Sequence, residues 1–275
     1  MTSAAEIASW FEMPDLVMLV AELPDGGVAG YSDMTDSGLE HLRYPIDLRV
    51  PRGEDAAEIA DALLAAMEAR VAETARGGAS ARLALQSVDD MAAGVAERRG
   101  YEPFRHSFQM RIEFDGEPPP PELPAGVSIR TFEPGRDDEA VYEAQDEAFS
   151  DSFEHTRWPY DNWRQWAFPE SFDPTIWFLA EEGTEIAGVC LCRPEGHAGP
   201  EFGWVNVLGV RPRWRRRGLG RALLLHAFQE FRARGMRGVG LGVDGLNPTG
   251  AVRLYEQAGM YVAQRLDQYA KPLSP

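Results

Sequence analysis

The stretch VNVLGVRPRWRRRGLGR, Val205 to Arg221, decides how this chain is read. A β-branched apolar run ends at Val210-Arg211-Pro212, an arginine-dense loop follows, and Gly218-Leu219-Gly220 opens a segment with Leu219, Ala222, Leu223, Ala227 and Phe231 at helical spacing. The pattern predicts a strand, a tight loop and a helix start. Glycines 218 and 220 leave no side chain between an incoming phosphate and the backbone N–H groups, and the helix N-terminus adds partial positive charge. A phosphate-bearing ligand is the expected guest.

Working outward, strands are predicted at Val127–Thr131, Thr175–Glu181, Glu185–Arg193 and Glu201–Val210, with helices at Asp137–Phe149 and Tyr160–Ala167. After the long helix Gly218–Arg234 come a strand Val239–Val243, a short helix Thr249–Ala258 and a last strand near Tyr261–Tyr269. Towards the N-terminus, Leu16–Ala21, Gly27–Met34 and Pro45–Val50 read as strands, residues 54–76 as a helix, Ala81–Val88 as a strand, Met91–Arg99 as a helix and Phe104–Phe114 as a strand.

The two halves repeat. Strand, helix, strand, short helix, glycine and aromatic strand occur at 45–114 and again at 201–269, and ERRGY at 97–101 matches EQAGMY at 256–261. Between them GEPPPPELPAG, residues 116–126, is the one proline-dense segment and the expected linker. The reading is therefore two domains, 1–115 and 127–275, each an α/β (α+β) fold with a mixed central sheet flanked by helices.

Composition narrows the function. The formal charge of −17 argues against nucleic acid as a partner. Residues 1–124 carry ten arginines against 23 acids, whereas residues 125–275 carry 17 basic against 21 acidic residues, so the basic charge gathers around the arginine loop. No apolar run is long enough to cross a membrane, and the N-terminal segment has neither the basic nor the apolar region of a secretory signal, so a cytoplasmic protein is expected. Cys190 and Cys192 read as reduced core thiols rather than a disulfide or metal site, and no metal is expected.

The block Arg215-x-x-Gly218-x-Gly220, preceded by Val210-x-Pro212, together with Asn247-Pro-Thr-Gly-Ala251-Val-Arg-Leu-Tyr255-Glu-Gln-Ala-Gly259, resembles the signature of the GNAT superfamily of acyl-CoA-dependent N-acyltransferases. The duplicated layout resembles tandem-GNAT proteins of the mycothiol synthase type. A Rossmann site fits less well because Ala222-Leu223 stands where a third glycine is needed, and a Walker lysine is missing, Lys271 being the chain's only lysine.

The resemblance implies acetyl-CoA as co-substrate, its pyrophosphate wrapped by the backbone of Arg216, Arg217, Gly218, Leu219, Gly220 and Arg221, with Arg215 and its neighbours neutralising charge. It implies that backbone at Leu208, Gly209 and Val210 on a bulged strand holds the thioester carbonyl, and that Tyr255 protonates the departing thiolate. Asn247 would cap the following helix, bind cofactor, or do both. Many relatives carry a glutamate base where this chain has Trp204, which leaves Glu201, Asp244, Glu154, His155 or a water relay for that role. The segment Phe153–Trp166 is expected to line the acceptor pocket, with Glu154, His155, Trp158 and Trp204 as candidate contacts.

The N-terminal half fails the same comparison: Ala96 aligns with Tyr255 and Val88 with Asn247, and Glu54 and Asp55 sit where phosphates would bind. It reads as a truncated, degenerate copy without a ligand of its own. The function expected is N-acetyl transfer to a primary amine of a small molecule or peptide by direct attack, with a homodimer as the available assembly. A non-catalytic acyl-CoA-binding or regulatory protein is the alternative, and a longer-chain or succinyl transferase a third reading.

Overall fold

The computed structural model describes residues 16–35, 42–169, 171–196 and 199–273. The reading of the first fifteen residues lies outside them. Two compact units make up the chain, one from the described residues up to 107 together with those from 264 onward, the other from 108 to 263.

In the first unit a hairpin of β1 (Leu16–Glu22) and β2 (Val28–Thr35) leads to β3 (Arg43–Arg49), α1 (Ala56–Thr74), β4 (Ser80–Gln86) and α2 (Asp90–Arg98). Helix α1 buries Ala60, Leu63, Leu64, Met67 and Val71, the stripe that its three- and four-residue spacing dictates. It begins at Ala56 rather than at the predicted residue 54, and Asp55 makes no side-chain cap bond. Strands β3 and β4 run parallel, as the crossover through α1 requires.

The second unit contains β6 (Val127–Thr131), α3 (Asp138–Phe149), α4 (Tyr160–Ala167), β7 (Trp177–Glu182), β8 (Glu185–Arg193), β9 (Phe202–Val210), α5 (Leu219–Ala233), β10 (Gly238–Asp244) and α6 (Ala251–Gln257). The face of α5 that holds Leu223, Ala227, Phe228 and Phe231 is fully buried. Every element predicted in this half is present to within a few residues of its expected ends.

The units do not divide at the proline-rich segment, because the repeats exchange their last strands. Strand β5 (Glu102–Glu113) is cut between 107 and 108, and β11 (Tyr261–Pro272) between 263 and 264. The end of β11 lies antiparallel to β4, with Lys271 opposite Ala81, while the end of β5 lies beside β10. Residues 116–126 belong to the second unit, where Pro118 is buried and its carbonyl accepts from Gln229 of α5 at 3.4 Å. Composition identified a stretch without regular structure, but not that it would be anchored along a helix.

The repeat extends to individual contacts. A Cβ on Gly188 of β8 would meet the carbonyl of Gly209 at 2.9 Å and then Leu223 and Val210; one on Gly30 of β2 would meet the carbonyl of Arg49 at 2.9 Å and then Val50 and Ile59. Each unit thus uses a glycine where its hairpin crosses the strand that feeds its long helix. The first unit has no counterpart of β6, α3 and α4 among the described residues.

Candidate functional site

The site starts where two parallel strands part. Strand β9 pairs with β10 from Phe202↔Gly238 to Val205↔Leu241, and no register pair follows. Opposite β8 the register skips from Val207↔Leu191 to Val205↔Cys192, so Asn206 is an extra, bulged residue. The bulge reverses the alternation of faces. Gly203 looks at Phe231 of α5, whereas Gly209, six residues on, looks at Ala148 and Phe149 of α3.

Beyond the bulge, the N–H of Arg211 donates to the carbonyl of Ala187 in β8 at 3.0 Å. By alternation the N–H groups of Gly209 and Val207 face β8 as well, and those of Leu208 and Val210 face the opening left by β10. The strand therefore presents two backbone donors to a gap lined by protein, an arrangement suited to a carbonyl oxygen that gains negative charge.

After β9 the chain makes a 3₁₀ turn at Pro212–Trp214 and then the glycine-bearing loop. Arg216 has φ of 62° and Gly218 of 82°, so the loop turns sharply through two left-handed residues before α5 begins. No side chain caps the helix, and the backbone N–H groups of 216–218 have no backbone acceptor among the described residues. The first helical donation outside the helix is Ala222 to Gly218 at 3.0 Å. These free donors at a helix N-terminus fit a pyrophosphate. Gly220 packs closely on α6, since a Cβ there would stand 3.1 Å from Cδ1 of Leu254.

The arginines behave differently from their sequence reading. Arg215 bonds to Asp151, to the carbonyl of Ala148 and to that of Val210, and the pairing holds the Asp151 carboxyl below the usual carboxylate range. Arg217 pairs with Glu182, Arg213 with Glu185 and Arg211 with Glu147. Arg216 and Arg221 make no ion pair with another described residue. Four of the six loop cations thus hold the loop to the protein.

Tyr255 lies on α6, next to the residue that packs on Gly220, and is 7% exposed. Burial, with a smaller push from Cys190, raises its phenol well above the ordinary value. Cys190 is in turn the register partner of Leu208, so Tyr255 and the opening strand meet around one residue of β8. The phenol makes no hydrogen bond with another described residue. Cys190 and Cys192 are reduced and buried, with sulfurs 3.7 Å apart, and among the described residues no cluster of metal-binding side chains occurs.

The other candidates are scattered. Glu201 is exposed and paired with Arg237 at the start of β9, away from the opening. Asp244 ends β10, accepts from Leu246 and so shapes a turn. Asn247 does not cap α6: the N-cap is Gly250, and the Asn247 side chain instead accepts from the N–H of Thr249 at 2.8 Å, ordering the turn before the helix. Glu154 and His155 lie on an exposed turn, with His155 bonded to Asp146. Trp158 is 42% exposed and leans edge-on against Trp166. Trp204 is buried, its ring 2.5 Å from where a Cβ on Gly196 would stand.

A shallow recess, partly open to solvent and with enclosed room for about one water molecule, lies beside the bulge. Trp166, Phe172, Trp177, Cys192, Arg193 and Asn206 are among its walls. Of the aromatics in Phe153–Trp166, Trp166 reaches it, while Trp163 is 2% exposed in the core and stacks on Tyr160. Sequence reasoning passed over Asn206 and Arg193 and read Cys192 only as a core thiol. Only the break in alternation across Gly203 and Gly209 could have signalled the bulge.

Residues 139–260 match the family described as acetyltransferase (GNAT) family. A mycothiol acetyltransferase of Thermomonospora curvata is 35% identical over 238 residues, covering 86% of this chain and 76% of that protein. Four other curated relatives of that name are matched over only 56% to 63% of their own length. A GCN5-related N-acetyltransferase from Sphaerobacter thermophilus has a crystal structure that superposes with a TM-score of 0.82 at 33% identity, covering 99% of this chain and 86% of that one. A tandem GNAT protein from the clavulanic acid biosynthesis pathway shares the fold, with a TM-score of 0.73 at 18% identity over 95% and 85% of the two chains.

Proposed function

The chain belongs to the acetyltransferase (GNAT) family, and from that membership we propose that it transfers an acetyl group from acetyl-CoA to a primary amine of a small molecule or peptide. The single observation that carries this reading is the coincidence, around one strand end, of the β9–β10 opening, the uncapped start of α5 and the buried phenol of Tyr255.

The loop N–H groups from Arg216 to Arg221 take the pyrophosphate, with Arg216 and Arg221 supplying the side-chain charge. The N–H groups of Leu208 and Val210 polarise the thioester carbonyl. The amine nitrogen then forms a bond to the carbonyl carbon while the carbon–sulfur bond breaks. Tyr255 gives its proton to the departing thiolate, and the nitrogen releases a proton to solvent, which restores the phenol. A raised phenol pKa keeps this proton in place at neutral pH. The products are an acetamide and free coenzyme A. The name shared by the curated relatives supports a small-molecule acceptor.

Release of coenzyme A thiol from acetyl-CoA, measured across a panel of primary amines, tests the proposal. Amine-dependent release above background supports it. The second reading, a non-catalytic acyl-CoA-binding protein, is favoured by Trp204 in place of an acid. Tight coenzyme A binding without release by any amine would establish that reading instead.

A further inference from the structure

Asn206 combines three features. As the bulged residue of β9, it sits where β9 stops pairing with β10. Its side chain lines the recess, and its carboxamide makes no hydrogen bond with another described residue. Its amide offers two donors and an acceptor with two lone pairs, and being only half-buried it keeps them open to an entering ligand.

The rest of the recess sharpens the point. Its described walls contain no carboxylate and no histidine. Its thiol, Cys192, is buried and pushed well above its ordinary pKa, with burial the main cause and Cys190 the second, so it stays protonated. Two of the four candidate bases are engaged elsewhere, Glu201 with Arg237 and His155 with Asp146, and Asp244 and Glu154 are not among its walls.

Resting on the acetyl-transfer reading, we propose that Asn206 is the acceptor-positioning residue: its carboxamide oxygen accepts an N–H of an amine that reaches the recess already neutral, and aims the lone pair at the carbonyl held by Leu208 and Val210. An amide cannot take up the proton, so no protein base acts in this step and the proton leaves to solvent. The substrate class follows. The acceptor is a primary amine in its uncharged form, on a carrier whose apolar part lies against the half-buried Trp166 and Phe172 at the mouth of the recess.

The test uses benzylamine and the full chain saturated with coenzyme A, titrated calorimetrically at a pH where the amine is largely neutral. Asn206→Ala should weaken amine binding about fivefold to tenfold, the worth of one net hydrogen bond, and Asn206→Gln should restore part of it. Coenzyme A affinity and melting temperature, measured alongside, should not change. Failure of benzylamine to bind, or equal binding by Asn206→Ala, overturns the proposal. In turnover, Asn206→Asp should place a base in the recess and extend the kcat/KM profile about one pH unit to the acid side; a profile superimposable on the unmodified protein overturns it too. Amine binding that depends on Asn206 without acetyl transfer would sink the proposed activity and leave this assignment standing. Transfer unaffected by Asn206→Ala would do the reverse.

Discussion

The guanidinium of Arg215 donates to Asp151 at 2.9 Å, joining the start of the phosphate loop to the end of α3. The same side chain reaches the carbonyls of Val210 and Ala148. The arginine that opens the sequence motif therefore shapes the loop from behind.

Arg215→Ala and Arg216→Ala should separate these two kinds of arginine. Losing Arg215 leaves two half-buried carbonyls and Asp151 without their donor, a cost of about 2 kcal/mol that thermal unfolding would register. Arg216→Ala should leave the melting temperature unchanged and weaken coenzyme A binding about tenfold at low salt, with the difference shrinking as salt is added. Equal effects of both variants on affinity would contradict the division.

Tyr255→Phe removes only the phenolic oxygen. Turnover should fall about a hundredfold, the lower end of what general acids contribute, with the KM for acetyl-CoA within twofold. Because burial raises the phenol pKa, kcat should show no loss between pH 8 and the ordinary phenol value of 10. A basic limb in that interval that vanishes in Tyr255→Phe would refute the elevation of the phenol pKa, and unchanged turnover in Tyr255→Phe would refute protonation by this residue.

Gly209→Ala should damage the carbonyl-binding strand, since the added Cβ would stand 2.9 Å from Cβ of Ala148 and 3.0 Å from the Phe149 ring. Overpacking of this kind costs about 1 to 3 kcal/mol. Gly242→Ala, on the neighbouring strand with nothing within 4 Å, is the control and should be neutral. Chemical denaturation of the two variants compares them directly.

In the first unit Asp33 faces Asp47 across β2 and β3, and one of its oxygens is buried without a partner. Burial first, then Asp47, raises its pKa to about 6 against the opposing pull of Arg49. The protonated form is thus preferred by the fold: its stabilisation is complete below the unfolded value of 3.8 and is lost as pH rises through about 6. Asp33→Asn should raise stability at pH 8 by about 1 kcal/mol, discounted for a half-exposed group, and change little at pH 4. A larger gain at pH 4 than at pH 8 would reverse the assignment.

Much of this was legible in the sequence because its signals are local. The strand–loop–helix at 205–221 follows from apolar runs, a proline stop and glycines at fixed offsets, and each acts within a few residues. Tyr255 was found from its spacing to Gly259 within one helix and its end. The internal repeat was visible for the same reason, since each copy keeps its own order of elements.

Tertiary structure decided what depends on partners distant in the chain. Which strand lies beside β4 or β10 is a matter of register between segments more than a hundred residues apart, so the exchange of β5 and β11 left no trace in composition. Whether an arginine meets a phosphate or a carboxylate depends on Asp151, Glu147, Glu182 and Glu185, which fold up to it from other elements. The sequence determined that a phosphate loop exists and where it lies. Only the packing of the sheet decided that Asn206 is the extra residue at its opening, because one skipped register pair turns the strand's faces over.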